Sequence, residues 1–375
     1  MLLLNVFTQS TGALVLLVLS IIVPLVSVVL NTFFPCKIEF NMTFPESIEK
    51  GDPIEGILSV SKKSFLPTSG IDLKIKCENI FTGEISELAT ALPLSRTESN
   101  YTFTFSSKHC GKLVVTVDEM RLSDIFGLSN KLYGPVDMYS LFVYFGVFSP
   151  KISESLAFGI AGETDRYSDS KPGYDFSEQF GIREYSPGDQ IKSIHWKLTE
   201  KLDKYIVKEP GLPMQNSTLL LFETGYEGNN KPLPKVRDAM AEAFVSISQA
   251  LSDEELPHTV GWYNYKTDFF ESYQMQSEED GIGVLPKILS LGMKSDEESC
   301  VDHFIKANEG CEYSHVLCVT SYENSQISLP DQVKLSLLIC DASVENQTEP
   351  LSTPELEIIN FTPQTMHHDL GIVCV

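Results

Sequence analysis

Between Gly12 and Leu30 the chain runs G-A-L-V-L-L-V-L-S-I-I-V-P-L-V-S-V-V-L, nineteen residues without a charged side chain. A helix of that length rises about 28 Å, close to the roughly 30 Å hydrocarbon core of a bilayer. Lipid offers no partner to backbone polar groups, so such a segment is expected to be helical, with Pro24 tolerated as a kink. The competing reading is a cleaved secretory signal. No basic stretch precedes the run and no small-x-small cleavage site comes after it, which favours an uncleaved membrane anchor over residues 1–35. No Lys or Arg lies before the run, whereas Lys37 and Lys50 lie after it. The positive-inside bias then places the soluble domains in the cytoplasm, on a single-pass protein of the cell membrane.

In a chain of 375 residues, the part beyond the anchor is long enough for two folded domains. Hydrophobic residues make up 42% and charged residues 21%, the balance of globular material rather than of a disordered chain. A formal charge of -23 argues against broad binding to nucleic acid, and no nucleic-acid partner is expected. The eight cysteines, Cys36, Cys77, Cys110, Cys300, Cys311, Cys318, Cys340 and Cys374, form no C-x-x-C pair and no zinc spacing with histidine. They read as reduced structural thiols.

Residues 36–149 carry short β-forming runs at Lys37 to Phe44, Ile54 to Val60, Ile71 to Cys77, Tyr101 to Phe105 and Leu113 to Val117. Turn signals such as Lys50-Gly51-Asp52-Pro53 and Thr68-Ser69-Gly70 separate them. Strands at this spacing without amphipathic helices predict an all-β sandwich. In Ser123-Asp124-Ile125-Phe126-Gly127-Leu128, Asp124 is suited to cap a turn and Gly127 to take an unusual φ, with Phe126 and Leu128 covering the sandwich end. His109 beside Cys110 is no catalytic pair, since neighbours in a strand point apart.

Residues 217–375 change pattern. A strand at Ser217 to Phe222 precedes a helix at about Lys235 to Leu251, whose Val236, Met240, Ala243, Phe244, Ile247 and Leu251 form one apolar stripe. Strands are expected near His258 to Tyr263, Phe269 to Gln274, Ser314 to Thr320 and Val333 to Cys340, and helices near Ile282 to Leu291 and Cys300 to Ala307. Two further apolar runs, Leu356 to Phe361 and Leu370 to Val375, read as edge or capping strands. The alternation predicts an α/β domain with a mostly parallel sheet.

Between these regions, residues 150–216 read as a linker and a dense segment, G-I-R-E-Y-S-P-G-D-Q-I-K-S-I-H-W-K-L-T-E-K-L-D-K-Y-I-V-K from Gly181 to Lys208. Here six Lys or Arg residues and one of two tryptophans gather in an acidic protein. Pro187-Gly188-Asp189 should make a tight turn. Two readings stand side by side. The segment is an internal clamp, with Arg183 on Asp189 or Glu184 and Trp196 packed inward, or it is a partner-docking surface made by Arg183, Glu184, Tyr185, Asp189, His195, Trp196 and Lys197.

Arg183-Glu184-Tyr185, Pro187-Gly188-Asp189 and Ile194-His195-Trp196-Lys197 together resemble the signature of the bacterial and archaeal family called domain of unknown function 58. Cys110-Gly111-Lys112-Leu113 looks like that family's glycine-led strand, and Ser123 to Leu128 is similar to its Asp-Pro-Phe-Gly-Leu stop, with Ile125 in the proline's place. Lys192 and Lys201 stand where the family commonly has Arg, and Lys lacks the planar two-pronged grip of a guanidinium. The resemblance implies a von Willebrand factor A-like fold for the α/β domain. It further implies a MoxR-type AAA+ ATPase partner and envelope or membrane protein clients. The metal loop of that fold, Asp-x-Ser-x-Ser, corresponds to Glu223-Thr224-Gly225-Tyr226-Glu227, which lacks both serines, so no metal site and no cofactor are expected.

No G-x-S-x-G, H-E-x-x-H, Cys–His pattern or Walker A loop occurs, and no catalytic residue is assigned. The expectation is a non-enzymatic, membrane-anchored scaffold or assembly factor working with the ATPase. The alternative is a metal-assisted protein-binding or adhesion module.

Overall fold

The computed structural model describes residues 11–34, 38–63, 68–93, 99–134, 136–153, 167–213, 218–275, 278–307, 313–322, 333–342, 351–353 and 356–374. Internal contacts divide the chain into two compact units, Met1–Phe145 and Gly146–Val375.

The first unit opens with the helix Thr11–Phe33, which contains Pro24. Its stretch Leu14–Phe33 is long and apolar enough to cross a membrane. Nine strands come next: β1 Ile38–Thr43, β2 Ser47–Glu49, β3 Pro53–Lys62, β4 Thr68–Asn79, β5 Ile85–Leu92, β6 Ser99–Ser106, β7 Gly111–Asp124, β8 Asn130–Tyr133 and β9 Val136–Tyr144. They form two sheets, β1-β3-β6 and β2-β9-β7-β4-β5, with β8 beside β7. Every pairing is antiparallel except the short β2–β9 contact.

Alternation along the strands builds the core. Ile54, Leu58 and Val60 of β3 turn inward, and so do Ile71, Leu73 and Ile75 of β4 and Leu113, Val115 and Val117 of β7. These side chains from both sheets make one apolar layer, the arrangement of a β-sandwich. Gly111 begins β7 at φ +138°, where a Cβ would lie 2.3 Å from Asn79 Oδ1. The contact leaves no room for a side chain, because Asn79 Oδ1 accepts from the amides of Phe81 and Thr82 while its Nδ2 donates to Cys110 O.

At the far end of β7 one expectation is corrected. Asp124 does cap the turn, and Gly127 takes φ +68°. Phe126 and Leu128, however, do not cover the sandwich end: they are 49% and 63% exposed. The turn's hydrogen bonds run inward to Asp124, which drives its apolar side chains outward.

In the second unit, β10 Lys151–Ser153, β11 Tyr167–Glu184, a 3-10 turn Ile191–Ser193, the helix Trp196–Leu202 and β12 Ile206–Pro213 come first. Much of the region 150–216 is therefore regular structure rather than linker: β11 and β12 pair antiparallel as a ribbon with several register shifts. Ten strands complete the unit: β13 Thr218–Phe222, β14 Gly225–Tyr226, β15 His258–Asn264, β16 Phe269–Met275, β17 Lys294–Ser295, β18 His315–Thr320, β19 Lys334–Cys340, β20 Leu351–Ser352, β21 Leu356–Phe361 and β22 Ile372–Cys374. Seven of them form one sheet in the order β16-β15-β13-β18-β19-β21-β20. Its inner five are parallel, and its two edges are antiparallel.

Helices cover both faces. Leu219 and Leu221 of β13 share a core with Cys300, Val301 and Phe304 of the helix Cys300–Ala307. The alternate Phe222 meets Phe244 of the helix Pro234–Asp253 edge-on at 5.3 Å. β13 and β18 are consequently buried along their whole length, as continuous apolar runs in parallel sheets are. β21 is flanked on both sides, by β19 and β20, instead of forming an edge, and β22 pairs in parallel with β10.

Candidate functional site

Two places in the second unit concentrate chemistry. The first is the segment Gly181 to Lys208. Arg183 lies near the end of β11 and grips Asp189 with both prongs, at 2.8 Å from Nη1 and 2.6 Å from Nη2. Its Nε donates to Glu209 on β12 at 3.0 Å. Asp189 also accepts from the Ser186 amide at 2.8 Å, so one carboxylate closes the Pro187-Gly188 turn, with Gly188 at φ +118°. The guanidinium and the Ser186 amide together hold the Asp189 carboxyl at about 2, well below its usual range. With a further bond from Nη1 to Glu184 O at 3.1 Å, four of the five guanidinium N–H donors are engaged within this segment.

The other expected docking residues divide into two groups. Glu184 is exposed and pairs with Lys204 at 2.7 Å. His195 caps the helix Trp196–Leu202, its Nδ1 accepting from the Leu198 amide at 3.4 Å. Tyr185 leans edge-on against Tyr205 at 6.3 Å. Trp196 does not pack inward: it is 60% exposed, and Lys197 beside it lies on the surface too. Ile182, Ile191, Leu202 and Tyr205 are also exposed. The bridge between Ile194 and Val207 and the bond from His195 N to Ile206 O fold these residues back onto one end of the ribbon. The clamp thus exists around Arg183 and Asp189, and it holds out an aromatic and aliphatic surface that includes Trp196.

The second place is the C-terminal edge of the seven-stranded sheet. The chain leaves β13 for β15 on one side and later returns to β18 on the other. Ligands of open parallel sheets bind at such a switch point. Glu223 sits there, directly after β13 and only 1% exposed. One carboxylate oxygen accepts from the Gly225 amide at 2.7 Å and the other from the Cys300 amide at 2.8 Å. Arg237, fully buried, donates from Nη1 to Glu223 O at 2.7 Å and lies over the Phe222 ring. Burial pushes the Glu223 carboxyl up despite these donors.

Around it, Asp296 meets His303 at 3.0 Å, and His303 stacks on Tyr263. Burial opposes the charge on Asp296, yet the Glu298 amide and His303 hold its carboxyl below the usual value. Glu227 is exposed, apart from Glu223. A cation at Glu223 would compete with two backbone N–H donors, and the arrangement does not fit an octahedral oxygen shell. Among the described residues no three His, Cys, Asp or Glu side chains are grouped to hold a metal.

One pairing escaped the sequence. Ser248 Oγ and His258 Nε2 stand 2.8 Å apart, with His258 Nδ1 at 3.0 Å from Leu256 O. Ser248 lines an apolar cavity of about 270 Å³ with Phe244, Met275, Val284 and Ile288. Ser248 lies within the helix Pro234–Asp253, whose backbone amides are engaged in helical bonds and so do not form an oxyanion hole. The pair ties helix to strand. None of the described cysteines is in a disulfide. Burial raises four of them, Cys77 to about 11, Cys340 to about 12, and Cys300 and Cys318 well above the usual thiol value, which leaves these four protonated at neutral pH.

No family model matches the chain, and no curated protein matches it. Among solved structures, it is similar to the CARDB domain of the PF1109 protein from Pyrococcus furiosus, at 11% identity over 29% of this chain and 93% of that one, TM-score 0.21. A cohesin module from a Clostridium perfringens family 33 glycoside hydrolase matches at 11% identity over 29% and 98%, TM-score 0.21. The PKD domain of an M14-like peptidase from a Thermoplasmatales archaeon matches at 16% identity over 28% and 91%, TM-score 0.17. These are β-domains of sandwich type, alike over less than a third of the chain, and at such scores they carry no functional argument.

Proposed function

We propose that the protein is a non-enzymatic membrane-anchored scaffold or assembly factor. In this reading the helix Thr11–Phe33 is a retained anchor, the soluble units face the cytoplasm, and the second unit is a von Willebrand factor A-like domain. A MoxR-type AAA+ ATPase supplies the energy for work on envelope or membrane protein clients. The observation that carries the proposal is the exposed surface at the ribbon end: Trp196, Tyr205, Ile191 and Leu202, each more than half exposed. Large apolar side chains clustered on a surface and braced by an ion pair fit a protein-docking site. The anchor reading is supported by Ser27 and Asn31, two helix residues that complete the hydrogen bonding of the turn after β7. A signal helix destined for removal has no such duty.

The test is crosslinking of the full chain in its native membranes, comparing wild type with a Trp196→Ala/Tyr205→Ala variant. A AAA+ ATPase recovered with wild type, and reduced at least tenfold with a variant that still melts normally, supports the docking surface. Equal recovery of the ATPase, or its absence from both, counts against it. The metal-assisted adhesion alternative has no supporting observation, given the backbone donors on Glu223.

A further inference from the structure

We infer that the turn Asp124 to Ser129 is a second membrane contact, its tip of Ile125, Phe126 and Leu128 entering the lipid beside the helix Thr11–Phe33. The inference rests on the anchor reading above and gives a new role to Phe126 and Leu128, which the sequence reading set over the sandwich end.

The turn is stitched to the helix by polar atoms. Ser27 Oγ donates to Asp124 Oδ2 at 2.8 Å, and Asn31 Nδ2 donates to Ser129 Oγ at 2.9 Å and to Ser129 O at 3.2 Å. Ser27 and Asn31 are one helical turn apart on one face and are both buried. Ser27 precedes Phe33, the last helical residue, by six positions, about 9 Å of helical rise. The turn therefore stands level with the C-terminal end of the apolar span, Asp124 beside Ser27 and Ser129 beside Asn31. At that level the helix exposes Leu25, Val26 and Val29.

Backbone at lipid depth must have its polar groups satisfied from within. Asp124 does this for most of the turn's amides. Its carboxylate accepts from the amides of Phe126 at 3.2 Å and Ser129 at 2.7 Å, and also from the Leu128 amide. Its carbonyl accepts from Gly127 at 2.9 Å, and its own amide donates to Ser129 O at 3.0 Å. Ser27 and the Ser129 hydroxyl complete the set. Most of the turn's amides are thus bonded inward, and the turn presents outward Ile125 at 50%, Phe126 at 49% and Leu128 at 63% exposure. Leu132, on the neighbouring β8, is 61% exposed. Water penalises such a cluster, while the hydrocarbon already required by the adjoining helix does not.

The experiment places the photoreactive residue p-benzoylphenylalanine at one of three exposed positions of the full chain. These are Phe126 at the tip, Leu25 on the helix and Ile85 on the strand β5. Each protein is reconstituted into vesicles of phosphatidylethanolamine and phosphatidylglycerol, irradiated, and examined by mass spectrometry for lipid adducts. The expected result is adducts at Leu25 and Phe126 at similar yield, with Ile85 at least tenfold lower. Adducts at Leu25 without Phe126 overturn the inference and leave the anchor standing. No adduct at Leu25 overturns the anchor reading and the inference with it. Crosslinks from Phe126 to protein instead of lipid, or equal yield at Ile85, overturn the inference too.

Discussion

A carboxylate at the end of a parallel strand can hold a cation or accept backbone hydrogen bonds, and the two duties compete for the same lone pairs. Glu223 has both oxygens on amides, Gly225 and Cys300. Replacement by Ala strands two buried donors, each costing about 1–3 kcal/mol. Glu223→Ala is therefore expected to lower stability by roughly 2–6 kcal/mol in urea unfolding, with no dependence on added Mg²⁺. The raised carboxyl also has a sign. The native state holds its proton more readily than the unfolded chain, so this group's contribution is full below the unfolded value and declines as pH rises through the folded one. Glu223→Gln should thus gain on wild type as pH rises above the ordinary carboxylate range; a gap that closes with rising pH would contradict the burial argument. Asp189 runs the other way. Its depressed carboxyl makes the turn clamp complete above the ordinary carboxylate range, with loss as pH falls toward about 2. Asp189→Asn should speed hydrogen exchange of the Ser186 amide while leaving the global melting temperature unchanged, since the pair is a surface one.

At the scale of elements, the periodic and the buried are legible in the sequence and the irregular is not. The apolar stripe from Val236 to Leu251 marks a helix that spans Pro234–Asp253, and the helix Cys300–Ala307 is legible to its ends. Fully apolar runs such as V-L-C-V are β18 and its neighbours, because a parallel strand buried on both faces has no polar side to show. Strand β5, I-S-E-L-A-T-A-L, escapes sequence reading: it lies at a sheet edge, largely exposed, and its residues favour helix. The ribbon β11–β12 is hidden by Gly, Pro and Ser that mark loops elsewhere, and its shifts in register are what those residues permit. At the candidate site, Arg183 with Asp189 is readable from the turn chemistry of Pro187-Gly188. The outward aim of Trp196 is not, because a tryptophan's sequence neighbours do not say which side of a ribbon it faces. The same gap explains Phe126 and Leu128, whose turn is bonded at Asp124 and Ser129 to Ser27 and Asn31, about a hundred residues earlier in the chain. Removing that stitch with Ser27→Ala/Asn31→Ala should free the turn. Limited proteolysis near Phe126 in detergent is expected to accelerate, and unchanged cleavage would deny the helix its bracing role.

For the whole molecule, the position of the division between units decides which fragments can stand alone. The contacts split at Phe145 and Gly146, ahead of the expected boundary at residue 149, and the chain just after the split is structural. Phe148 N donates to Ser246 Oγ at 3.1 Å, tying it to the central helix. Lys151 N donates to Gly371 O at 3.0 Å, and β10 supplies the partner for β22. The last strand of the chain is therefore held by the first strand of its unit, a closure between sequence-distant ends that no local pattern announces. A fragment of residues 146–375 should melt as one cooperative transition. A fragment of residues 154–375 loses β10, leaves β22 unpaired and opens the side of the cavity that Val147 lines. It is expected to melt several degrees lower and to lose exchange protection at Ile372, Val373 and Cys374 before the central strands. Equal melting of the two fragments would place the unit's true start after β10, and with it the closure argument would fall.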